Sequence, residues 1–142
     1  MFKKFVSSIL VLIILVGCSQ SKSVDINTVS NKIIEYYDKT NLTSLEKSDI
    51  ESLLYIDEGF IEEGIFYISN NNTSDMFAIL KSKENDNLKT YIKDYIDIVK
   101  TQNTNYFPEE VSKLENALIF EKDGYVYLIF NDKQANIKKI LE

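Results

Sequence analysis

Apolar positions recur along this chain in two rhythms, one helical and one alternating. From Asp25 to Thr40, Ile26, Val29, Ile33 and Tyr36 or Tyr37 fall at helical spacing, which predicts a first helix. Asn41 to Lys47 breaks the pattern and reads as a loop. Ser48-Asp49-Ile50-Glu51 has the form of a capping box, with the serine side chain aimed at the Glu51 amide and Glu51 reaching back. A short helix through about Tyr55 follows. Gly64 to Ile68 is a compact apolar run of strand character, Ser69 to Asp75 a polar, Asn-rich loop, and Met76 to Leu80 a second strand. Asn87 to Gln102 carries the clearest helical stripe, formed by Leu88, Tyr91, Ile92, Tyr95, Ile96, Ile98 and Val99 with Lys and Asp opposite. Pro108 with Glu109 and Glu110 opens another short helix, since proline suits a first turn and acids suit its positive end.

Asn116 to Lys122 and Tyr125 to Phe130 flank Asp123-Gly124, a pair suited to a two-residue turn that needs positive φ at both positions. Such a turn pairs Lys122 with Tyr125, Phe120 with Tyr127 and Leu118 with Ile129 on one face of a hairpin. A last helix is expected from about Asp132 to Leu141, with Ile137, Ile140 and Leu141 on one side. The order ααββααββα predicts an α+β fold with a small, mainly antiparallel sheet of about four strands, in two hairpins, packed with helices. Both faces of the C-terminal hairpin are mostly apolar, and so are both faces of Ile65 to Ile68. A sheet with one wet face should alternate. Either helices cover both faces, or one face presents an exposed aromatic binding surface around Tyr67, Tyr125 and Tyr127. The rarity of large exposed apolar patches on monomers favours coverage.

The amino-terminal segment follows neither rhythm. Met1 to Lys4 is a short basic start, and Phe5 to Val16 is apolar apart from Ser7 and Ser8. A helix needs about twenty residues to cross the hydrocarbon core, so this run is too short to span it. A basic start, a short apolar run and a small residue before the cut describe a secretory signal. Leu15-Val16-Gly17-Cys18 looks like a lipobox. That resemblance implies a diacylglycerol thioether on Cys18 and cleavage between Gly17 and Cys18; the competing reading is a chance cysteine behind an ordinary signal peptide. Two acyl chains give stable anchoring where one is marginal. The expected division is a signal peptide over 1–17, a lipidated Cys18 with a polar tether over 18–24, and one α+β domain over 25–142.

Composition narrows the chemistry. All 16 cations are Lys, against 22 acids, and the loss of Lys3 and Lys4 would take the formal charge from −6 to −8. An acidic chain without Arg makes a poor nucleic-acid binder, and anionic lipid headgroups repel it. With no His and its single Cys committed to lipid, the chain lacks the residues for a Ser-His-Asp or Cys-His site and for the usual zinc sites. It has no dinucleotide fingerprint, phosphate loop or EF-hand loop. Lys83-Glu84-Asn85-Asp86-Asn87 offers oxygen ligands but no glycine at the turn and no closing Glu, so it reads as a loop. Glu62 with Glu63, or Glu109 with Glu110, are adjacent acids that should diverge into solvent, whereas a glycosidase needs two separated carboxylates across a cleft. No cofactor and no metal are expected.

From Asp25 onward the order of features resembles a family of Gram-positive lipoproteins known as domain of unknown function 4358. The resemblance lies in Val24-Asp25-Ile26-Asn27-Thr28-Val29, Leu53-Leu54-Tyr55-Ile56-Asp57, Met76-Phe77-Ala78-Ile79-Leu80, Tyr106-Phe107-Pro108-Glu109, Leu114-Glu115-Asn116-Ala117 and Asp123-Gly124-Tyr125-Val126. Gly64-Ile65-Phe66 departs from it. The resemblance implies a domain displayed outside the cell and brings no activity or site residues.

These features together lead us to expect a lipoprotein anchored to the cell membrane through Cys18, on its extracytoplasmic face, acting as a non-enzymatic binding module with an envelope protein as possible partner. The alternatives are a small-ligand receptor associated with a transporter and a carboxylate-based enzyme. Cys18→Ala should accumulate as uncleaved precursor or leave the membrane. Fractionation and the mass of the mature protein check this; processing and retention like the parent would remove the lipoprotein reading.

Overall fold

The computed structural model describes residues 23–71 and 73–142. Gly17 and Cys18, the signal segment and most of the tether lie outside the described residues, as does Asn72. The elements run α1 Ile26–Ile34, a 3-10 turn Lys39–Asn41, β1 Leu42–Ser44, α2 Lys47–Leu53, β2 Ile61–Ser69, β3 Met76–Ser82, α3 Asn85–Asn103, α4 Pro108–Leu114, β4 Leu118–Lys122, β5 Tyr125–Phe130 and α5 Gln134–Leu141. The fold is α+β around one sheet, antiparallel at every pairing, in the order β1-β2-β3-β5-β4.

The sheet has five strands rather than about four. The addition is β1, which pairs with the end of β2 from Leu42 opposite Ser69 to Ser44 opposite Tyr67. Three residues are too few for a visible alternation. The first helix also stops at Ile34 rather than Thr40. Asp38 caps a new turn, accepting from the Thr40 amide at 3.1 Å, so its side chain competes with continuation of the helix. At the other end of α1 the Asp25 carboxylate accepts from the Asn27 amide at 3.0 Å and the Thr28 hydroxyl at 2.7 Å.

The carboxy-terminal hairpin has the register expected of it, with Lys122 opposite Tyr125, Phe120 opposite Tyr127 and Leu118 opposite Ile129. Asp123 and Gly124 both adopt positive φ, 52° and 81°. The Phe120 and Tyr127 rings stack at 5.0 Å.

Helices cover both faces of the sheet. On one face Phe66, Ala78, Leu80, Val126 and Leu128 pack with Ile50 of α2 and Leu54 just after it, Leu88, Ile92 and Ile96 of α3, and Leu114 of α4. On the other, Phe77, Ile79, Tyr125, Tyr127 and Ile129 pack with Ile26 and Ile33 of α1 and Ile137 and Leu141 of α5. All six residues of β5 are buried. Gly64 is dictated by close packing: a Cβ there would lie 2.5 Å from Leu80 Cδ2, a buried side chain with nowhere to move.

Tyr37 ties the layers together. Its buried hydroxyl shares one hydrogen between the Met76 carbonyl at 2.8 Å and the Phe130 carbonyl at 3.1 Å, joining the post-α1 turn to both central strands. Burial first, and then Asp75, pushes this hydroxyl well above its ordinary pKa, so it remains a donor across the physiological range. Tyr37→Phe should lower stability by about 1–3 kcal/mol, because two buried carbonyls lose their donor. Urea denaturation should show a lower midpoint with an unchanged slope.

Candidate binding groove

The aromatic face proposed around Tyr67, Tyr125 and Tyr127 is not exposed. Tyr125 and Tyr127 are buried in the layer under α1 and α5, and half-buried Tyr67 stacks on Phe77 at 4.9 Å. The lack of alternation in the hairpin reflects coverage of this face by two terminal helices, the favoured of the two readings. The Tyr125 hydroxyl donates to Glu63 Oε2 at 2.6 Å, and that hydrogen bond, with burial, pushes it up to about 12. Glu62 and Glu63 are both exposed on β2, as expected, but of the second pair only Glu109 is exposed: Glu110 is buried rather than solvated, because it is paired with Lys113 and the Ser74 amide. Among the described residues, no group of three or more acids and cysteines is placed to hold a metal ion, and no helix is long and apolar enough to cross a membrane.

A concavity lies elsewhere, between α2 and the carboxy-terminal half of α3. It is an open groove of about 460 Å³ whose walls include Leu53, Ile68, Ile98 and Val99. It continues into a recess of about 310 Å³ under the β2–β3 turn, the two sharing Ile68, Tyr95, Val99 and Gln102. Tyr95 also sets its ring edge against Phe66, with centroids 6.2 Å apart, and burial pushes its hydroxyl up to about 12.

Each rim of this groove is fixed by a buried carboxylate. Glu51, 4% exposed, accepts the Gly59 amide at 2.9 Å and the Ile61 amide at 3.1 Å through Oε1, which folds the 55–60 loop against α2. The sequence suggests a capping role for Glu51. Instead α2 begins at Lys47 behind Glu46, Ser48 lies inside the helix, and the Glu51 side chain serves the following loop. Glu110, 3% exposed, accepts the Ser74 amide at 2.8 Å and Lys113 Nζ at 2.9 Å, tying the β2–β3 turn to α4. Asn103 Nδ2 reinforces that rim by donating to Ser74 Oγ at 3.1 Å.

Tyr55 stands on the α2 rim. The Tyr55 amide donates to the Ser52 carbonyl and the Ile56 amide to the Glu51 carbonyl, the paired bonds of a helix that ends in a left-handed residue. That residue is normally glycine; here it is Tyr55 at φ 56°, and its side chain is 77% exposed. A bulky residue there is strained by about 1 kcal/mol or more. The sequence offers no glycine directly after Leu53-Leu54, the nearest being Gly59, and so does not reveal where the helix turns.

The sequence pattern of a domain of unknown function (DUF4358) matches residues 35–131. The chain belongs to this family. The DUF4358 segment holds all five strands, α2 to α4 and the whole groove, from Leu45 to Phe107. The helices α1 and α5 that cover the opposite face lie outside it. No curated protein and no solved structure matches the chain.

Tyr55→Gly should raise stability by about 0.5–1 kcal/mol, since glycine adopts positive φ freely and an exposed ring gives up little packing. A higher thermal midpoint in the variant checks this; a drop would show that the ring packs more than its exposure indicates.

Proposed function

We propose that this protein is a lipoprotein held on the extracytoplasmic face of the cell membrane through Cys18, and that it is a non-enzymatic binding module of the envelope whose working face is the α2–α3 groove. The observation that carries the reading is Tyr55, an exposed aromatic side chain kept in a strained backbone conformation on the rim of the α2–α3 groove. Strain of this kind persists where the surroundings impose it, and it clusters at functional sites. Exposed tyrosine offers contact area at low entropic cost. The lipobox supports the location, and an open groove suits a macromolecular partner better than an enclosed small ligand, the alternative of a transporter-linked receptor.

A photo-crosslinking amino acid at Ile98, on the groove wall, should give a discrete adduct in intact cells, and the same probe at Lys139 on α5 should not. Adding Tyr55→Ala to the Ile98 probe should remove most of the adduct. Equal labelling from both positions would overturn the assignment of the groove.

A further inference from the structure

The groove is one-sided in charge. Among the described residues that line it and its recess there are two carboxylates, Asp49 and Asp75, and no cation. Asp75 sits in the recess, half-buried, with Asn131 Nδ2 3.5 Å from its Oδ2. Beside it Glu110 and Asp132 share a single ammonium, Lys113, at 2.9 and 3.5 Å. Three carboxylates around one cation leave this end of the groove electron-rich. Burial first, then Asp132 and Glu110, hold the Asp75 carboxyl above its ordinary value, while Lys113 acts in the opposite sense. An added cation would relieve that unfavourable field. The other end holds Asp49 beside the apolar walls of Leu53, Ile98 and Val99, with the exposed Tyr55 on its rim.

We infer that the groove takes a segment of a partner polypeptide that carries a large apolar side chain flanked by Lys or Arg, the apolar group seated against Ile98 and Val99 and the cation directed to Asp75. This rests on the groove being the binding face. Charge complementarity selects this occupant over two others. An anionic lipid surface would meet only carboxylates in the groove. A second copy of a chain of net charge −6 has no Arg and a surplus of acids to offer. A cation can also rest on the Tyr55 ring at the rim.

The test is selection of random twelve-residue peptides on the full anchored chain in phosphatidylcholine nanodiscs, with empty discs subtracted. Peptides should be enriched in Lys or Arg beside Leu, Ile, Phe or Trp. Affinity of an enriched peptide should fall about fivefold or more in Asp75→Asn and in Tyr55→Ala, the equivalent of about 1 kcal/mol. It should also weaken as salt rises. Thermal midpoints of both variants, kept near the parent, exclude misfolding; Asp75→Glu should retain binding. Neutral or acidic enriched peptides that still depend on Tyr55 would overturn the inference and leave the groove assignment standing. No enrichment, or enrichment indifferent to both substitutions, overturns it as well, and the Ile98 crosslink then decides the groove separately. Self-association abolished by Tyr55→Ala would give the groove to a second copy and overturn the inference.

Discussion

Two strands buried on both faces set the terms for everything else in this molecule. Met76 to Leu80 in β3 and Tyr125 to Phe130 in β5 are buried throughout and pair with each other at the centre of the sheet. Each fully buried Phe, Ile, Leu or Val contributes about 1.5–3 kcal/mol relative to exposure. That gain is available only if both faces are closed, so helices must lie on each side. The strand order follows from the same demand. β3 and β4 both run antiparallel to β5, and the chain passes from β3 to β4 through α3 and α4 before β5 fills the place between them. A helix of 19 residues rises about 28 Å, enough to return along the whole sheet while covering it.

The groove is a by-product of how the first face is closed. α3 turns Leu88, Ile92 and Ile96 fully into the core, and its flank bearing Tyr95, Val99 and Gln102 faces sideways. α2 has only 7 residues and ends in the Tyr55 turn, so it roofs part of the face and borders the space beside α3. On the opposite face α1 and α5 lie over the tyrosines that might have lined a groove there.

Periodicity made the long elements legible. α3, α4 and the carboxy-terminal hairpin stand within a residue or two of their expected bounds, and the Asp123-Gly124 turn set the hairpin register without knowledge of its neighbours. What the pattern could not carry was long-range. β1 exists because its backbone finds the end of β2, not because Leu42-Thr43-Ser44 is a strand-forming sequence. Glu51 looks like a cap locally, yet its partners are amides 8 and 10 residues further on. The lack of alternation showed that both faces of the hairpin are apolar and favoured coverage, which the helices provide; it could not say which elements cover the tyrosines. The groove was invisible for the same reason: Leu53, Ile98 and Val99 belong to stripes that read as core, and only the different lengths of α2 and α3 leave them lining a space.

The two buried glutamates sharpen what kind of groove this is. Burying a carboxylate is unfavourable unless its hydrogen bonds are met, and apolar residues of similar volume commonly serve stability as well or better. Glu51 is met by the Gly59 and Ile61 amides and Glu110 by the Ser74 amide and the Lys113 ammonium, so what they secure is the position of the segments they tie together more than core packing. Tyr55 adds strain on one of those same segments. Three features that do little for the stability of the sheet therefore converge on its two rims. A surface whose loops are already ordered loses less conformational entropy when something binds to it, and that saving appears directly as affinity. Preordered rims, apolar walls and two carboxylates with no cation among the described lining residues are a combination that folding alone does not require, and recognition gives each of them a reason.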